Sequence, residues 1–101
     1  MLIYNVTLKV ENGIADEWLR WMQEEHIPEL IQTGLFCGHK LCHLLEQDET
    51  EGVTFIAQYF LDSAENYEAY ISQHAPRMRE KGFTLFGSRF IAFRTLMETL
   101  D

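Results

Sequence analysis

Glu25-His26-Ile27-Pro28 and Gln73-His74-Ala75-Pro76 are one signal written twice, at an offset of 48 residues. The correspondence runs further: Leu19 maps onto Tyr67, Met22 onto Tyr70, Leu30 onto Met78 and Gly34 onto Gly82. In each half an apolar helical stripe runs into His-x-Pro and ends at a glycine, with strand-like sequence on both sides. Two copies of a strand–helix–strand unit leave few architectures open.

The first strand is predicted from Leu2 to Val10. Tyr4, Val6, Leu8 and Val10 alternate with Ile3, Asn5, Thr7 and Lys9, so one face is apolar and the other mixed. A helix follows from about Ile14, with Asp16 and Glu17 in its first turn, where negative charge suits the helix dipole. Pro28 removes a backbone donor and clashes with the carbonyl of Glu24, so the helix is expected to kink or restart there and to stop at Gly34. Strands over about 35–46 and 53–61 flank the polar loop Gln47–Gly52. Asp62 and Glu65 suggest a capping box for the second helix, which should pass Pro76 and end at Gly82. The last strand should cover 88–98.

The order β-α-β-β-α-β is the split βαβ arrangement of ferredoxin-like folds: α+β, a single domain over residues 1–101, with a four-stranded antiparallel sheet and both helices on one face. The other sheet face would carry Ile3, Asn5, Thr7 and Lys9, then Thr54, Ile56, Gln58 and Phe60, and by one choice of register Phe90, Ala92, Arg94 and Leu96. That face is too apolar for bulk water, and a second copy of the chain is the economical cover. A homodimer is expected.

A formal net charge of −8 argues against a nucleic-acid partner and against an anionic membrane surface, since both need clustered Lys and Arg. No segment approaches the roughly 20 apolar residues that span a bilayer, and the N-terminus shows no targeting pattern, so a cytoplasmic location is expected. Cys37 and Cys42, five apart in one expected strand, would face opposite ways and are read as buried, reduced thiols.

The aromatic-rich helix ending in Trp21-Met22-Gln23-Glu24-Glu25-His26-Ile27-Pro28 resembles the first helix of dimeric α+β barrel proteins, with EthD-like and antibiotic-biosynthesis-monooxygenase-like groups as functional relatives. With its last strand Phe90-Ile91-Ala92-Phe93-Arg94-Thr95, the whole chain is most similar to a small bacterial family known only as a domain of unknown function. The resemblance implies a homodimer with sheets packed face to face. It does not choose an activity, because the superfamily includes cofactor-free oxygenases, isomerases, haem enzymes and binding proteins.

His26, His74 and Arg94 are the candidate catalytic residues. A histidine on an apolar stripe beside a pocket serves as general acid or base. It serves equally as a structural donor to a carbonyl freed by the proline, and recurrence in both halves favours that simpler reading. The two readings separate on geometry. If one ring is bonded into its helix and the other is free beside Arg94, the free one is the catalytic candidate. Arg94 itself could hold a carboxylate or enolate oxygen, or pair with a carboxylate across a dimer interface.

Asn5 and Gln58, on its expected face, with Phe60 and Phe90, are the candidate ligand-binding residues. Trp18, Trp21, Tyr67 and Tyr70 could line an aromatic pocket and are read first as core. His39 and His43 would lie about 13 Å apart along a strand, too far to share a metal ion. There is no P-loop, GxGxxG, GxSxG or HExxH, and no cofactor is expected. Two functions lead: a pocket protein for a small apolar or aromatic ligand, with cofactor-free oxygenase or isomerase chemistry as the activity it would allow, and a packed association module. Haem use is a third, for which neither helix nor strand shows a dedicated ligand setting. An enclosed cavity of roughly 300 Å³ would favour the first.

Overall fold

A computed structural model describes residues 1–101. Strand β1 (Leu2–Val10) leads through a 3₁₀ turn into α1 (Ala15–Trp21), a π-helical turn (Met22–His26) and α2 (Ile27–Gln32). Strands β2 (Gly38–His43) and β3 (Val53–Leu61) form a hairpin. Helices α3 (Ala64–Gln73) and α4 (Ala75–Phe86) follow, and β4 (Phe90–Glu98) closes the sheet. The strand order is β2-β3-β1-β4 and every pairing is antiparallel, so the ferredoxin-like β-α-β-β-α-β fold is the one the repeat implies.

One core lies between sheet and helices. Tyr4, Val6, Leu8 and Val10 of β1 and Phe55, Ala57, Tyr59 and Leu61 of β3 form its floor, every one of them buried. From the helices, Trp18, Met22, Ile27 and Leu30 descend onto it, with Tyr70, Ala75 and Met78 from the second half. The spacing within these sets explains the helix geometry. From Met22 to Ile27, and from Tyr70 to Ala75, the chain advances five residues between buried positions, one more than an α-helix allows on a fixed face. The first half absorbs the extra residue in the π turn, where the Ile27 N–H reaches back to the Met22 carbonyl. The second absorbs it as a break at His74, whose φ of −123° and ψ of −37° leave the helical range.

Several sequence expectations are corrected. Helix α4 runs through Gly82 and stops at Gly87, which takes the left-handed φ of 59°. Gly82 is there for room: a Cβ would meet the Phe90 ring at 3.2 Å and the Trp21 ring at 3.3 Å. Ser63, not Asp62, caps α3, accepting the Asn66 N–H at 3.1 Å. Strand β2 is shorter than expected at both ends, pairing regularly with β3 over Gly38–His43, with one further bond from the Leu44 N–H to the Thr54 carbonyl at 2.9 Å. Cys37 precedes that strand, and both thiols are exposed rather than buried; Cys42 stands opposite Ile56 and so points to the open face of the sheet.

The largest correction concerns β4. Val6 stands opposite Arg94, Leu8 opposite Ala92 and Val10 opposite Phe90. Directly opposed residues point to the same side of a sheet, so Phe90, Ala92, Arg94 and Leu96 belong to the helix side. A slip of one residue in register exchanges the two faces entirely. The open face therefore carries Ile91, Phe93, Thr95 and Met97 instead, and Ile91 and Phe93 are 55% and 63% exposed. Across its middle runs a polar row in which Gln58 Nε2 donates to Asn5 Oδ1 at 3.2 Å and Asn5 Nδ2 donates to Thr95 Oγ1 at 3.4 Å.

Candidate functional site

A cavity of about 50 Å³ opens between the sheet and the helices. Its floor is Tyr4, Val6 and Leu8 of β1 with Ala57 and Tyr59 of β3; Phe90 and Arg94 of the edge strand β4 stand at one side. Trp18, Trp21, Met22 and His26 cover it from the first helical run, and Tyr70, Arg79 and Gly82 from the second. Twelve of its sixteen lining residues are hydrophobic, and none is an Asp or Glu.

The π turn puts His26 there. With Ile27 taking the buried position after Met22, His26 is displaced to the edge of the core face, half-buried, and its ring stacks on Trp21 with centroids 4.6 Å apart. Of the four histidines only His43 and His74 hydrogen-bond another side chain. The bond expected from His26 to a carbonyl freed by Pro28 is not formed: the π turn keeps the backbone bonded through it, with the Ile27 N–H on the Met22 carbonyl, and the ring has no hydrogen-bond partner. Burial pushes the His26 pKa down to about 4. The Glu29 charge acts in the opposite direction and raises it, and the charges of Arg94 and Lys81 lower it further. The ring is neutral at pH 7.

His74 differs. It lies outside the cavity, stacks on Tyr70 at 6.3 Å, and its Nδ1 is 3.5 Å from Arg77 Nη2. Of the two histidines, the free ring beside Arg94 is therefore His26. Among the expected site residues, the structure brings together His26, Arg94 and Phe90, and leaves His74 aside. Asn5, Gln58 and Phe60 lie on the opposite face of the sheet, for the reason of register given above.

Sequence reasoning missed Arg79 and the tyrosines of the floor. Arg79 Nη2 donates to the Tyr4 hydroxyl at 3.2 Å, reaching down from α4 to β1. Its signal was present in the sequence: it is four residues after Ala75 and one after Met78, both buried, hence on the margin of the buried face. Tyr4, Tyr59 and Tyr70 form a ring cluster, with Tyr4 6.0 Å from Tyr59 and 5.7 Å from Tyr70. Burial raises the Tyr59 and Tyr70 pKa values well above the ordinary phenol range, so both remain protonated donors. The Trp18 indole N–H is buried with no hydrogen-bond partner. No group of three or more His, Cys, Asp or Glu side chains is placed to hold a metal ion.

Residues 1–100 match the family model described as Domain of unknown function (DUF4286), and the chain belongs to that family. No protein of curated function matches the sequence. Several solved structures share the fold. An EthD family protein from Bacillus halodurans superposes with a TM-score of 0.69 at 11% identity, covering 99% of this chain and 100% of its own. A dimeric ferredoxin-like protein from an uncultured marine organism gives 0.68 at 11% identity, covering 99% and 95%. SnoaB, a cofactor-independent oxygenase from Streptomyces nogalater, gives 0.66 at 15% identity, covering 99% and 94%. At such identities the likeness is one of fold.

Proposed function

We propose that this protein is a homodimeric small-molecule pocket protein that binds an apolar or aromatic ligand between sheet and helices. The observation that carries the reading is the His26 ring: neutral, stacked on Trp21, without a hydrogen-bonded side-chain partner, in an acid-free cavity it shares with Arg94. The chemistry this arrangement fits is removal of a proton from an acidic O–H or C–H by the imidazole, with the resulting oxyanion held by Arg94. That is a first step common to cofactor-free oxygenation and to isomerisation. A pKa near 4 makes His26 a weak base that needs no prior deprotonation, so it suits a substrate whose acidity Arg94 enhances. An electron-rich hydroquinone is the probe for the oxygenase form. Oxygen uptake above the buffer rate that vanishes in His26→Phe and survives in His74→Phe supports it; uptake equal in all three removes His26 from any such chemistry.

The homodimer rests on the open sheet face, where Ile3, Ile56, Phe60, Ile91, Phe93 and Met97 surround the Asn5–Gln58–Thr95 row. No helix is long and apolar enough to cross a membrane, and the reading takes the protein as cytoplasmic. Light scattering should give twice the 11.9 kDa chain mass, and Phe93→Lys should return it to one. A wild-type monomer at micromolar concentration would overturn the pairing. The second reading, a packed association module, is favoured by the size of the cavity: about 50 Å³ is well short of the roughly 300 Å³ of ordinary ligand sites. Titration of the protein with phenol decides between them. Shifts in the NMR signals of Trp18, Trp21 and His26 support the pocket, and their absence up to solubility supports the module.

A further inference from the structure

The polar groups around this cavity are nearly all hydrogen-bond donors. Arg79 and Arg94 bring guanidinium groups, which have no acceptor capacity, and neither takes part in any of the protein's ion pairs. Both therefore have their charge available to a ligand, and no carboxylate lines the cavity to compete for it. Trp18 adds an indole N–H that is buried and unpartnered. Tyr4 accepts from Arg79 and so keeps its own hydroxyl hydrogen to give. Tyr59 and Tyr70 contribute protonated phenols. The acceptor side of the inventory is small: the free ring nitrogen of His26 and whatever lone pairs the phenols retain.

Trp18 carries a buried donor without an acceptor, which is costly, and a ligand that supplies an acceptor recovers that cost; Arg79 and Arg94 are exposed residues that bring positive charge to the cavity's rim. From this we infer that the cavity is selective for an organic anion, a small carboxylate or enolate with an aromatic or apolar body, whose charged oxygens are taken by Arg79 and Arg94. The inference rests on the cavity being a ligand site, and adds to that reading the charge of the ligand and the part played by Arg79. Two arginines line the cavity, one from α4 and one from the edge strand β4, and a carboxylate has an oxygen to offer each of them. The aromatic rings of Trp21 and Phe90, which meet over Gly82, offer the apolar body its contact.

Benzoate and its neutral isostere benzyl alcohol separate the charge requirement from the apolar one, with Trp18 and Trp21 fluorescence as the readout. Benzoate is expected to bind at least tenfold more tightly than benzyl alcohol. Arg79→Gln and Arg94→Gln should each erase most of that ratio through a loss of benzoate affinity, and Arg94→Lys should recover part of it. Arg77→Gln, on the same helix but outside the cavity, should leave the ratio as it is. Equal affinity for the two probes overturns the anion selectivity and leaves the pocket standing. An equal loss in Arg77→Gln places the anion on the surface and likewise overturns it. Binding of neither probe overturns the pocket and the anion selectivity together.

Discussion

The two His-x-Pro helices carry the same message and answer it differently. Both must step five residues between buried side chains, Met22 to Ile27 and Tyr70 to Ala75. In the first half the helix stays continuous and widens by one residue, which also relieves the clash that Pro28 would make inside a regular α-helix. In the second half it stops at His74, and α4 starts afresh with Pro76 in its first turn, where no N–H is needed. The histidine follows the backbone. The widened turn delivers His26 to the cavity beside Arg94, whereas the break turns His74 toward Arg77, outside it. A repeat thus conserves where the core is and leaves free where the polar side chains go. Chemistry can settle in one half while the other only packs.

The packing half of that comparison is broken most easily at Leu30 and Met78, matched positions that are 1% and 2% exposed. Each replaced by Ala should lose about 2–5 kcal/mol of stability in denaturant unfolding, because each leaves a cavity in the shared core. If one loses its full share and the other almost nothing, the halves are equivalent in sequence alone.

The histidines give the next effect. Folded His26 takes up its proton at about pH 4, while the unfolded chain takes it up at the ordinary 6.5. Between these values the unfolded state binds more protons, so stability falls as pH falls from 6.5 to 4, by at most about 3 kcal/mol from this group. Above pH 6.5 the group contributes no slope. His26→Phe should flatten that window relative to wild type, and His74→Phe should not. Equal slopes in the two variants would put the histidines back on the same footing.

The smallest effect separates the matched glycines. Gly34 ends the first helical run at φ +77°, and Gly34→Ala should cost about 1 kcal/mol through backbone strain although nothing crowds the site. At Gly82 the backbone is helical and Ala is the better helix former, but its Cβ presses on Phe90 and Trp21. Gly82→Ala should therefore change stability by less than about 1 kcal/mol and instead weaken aromatic probes in the cavity. A Gly82→Ala variant that binds phenol as wild type does would take Gly82 out of the site.

The fold was legible because its signals are local. Alternation in β1 and β3 assigned the core face residue by residue, and the offset of 48 tied the halves together. Even the pause at each proline could be anticipated, from a missing N–H and a blocked carbonyl. What the sequence left undecided was the relation between elements. In Phe90–Glu98 both alternating sets contain large apolar residues, so nothing within β4 says which set faces the helices; only pairing with β1 does, and it moved Arg94 and Phe90 to the helix side. Likewise the residue count between Met22 and Ile27 was visible, but whether the chain would widen or break there depended on what packs against each turn. The amino-acid sequence determined the elements, their order and their buried faces. The tertiary structure alone chose the register of the last strand and the form of each helix interruption, and those two choices bring His26, Arg79 and Arg94 around one cavity.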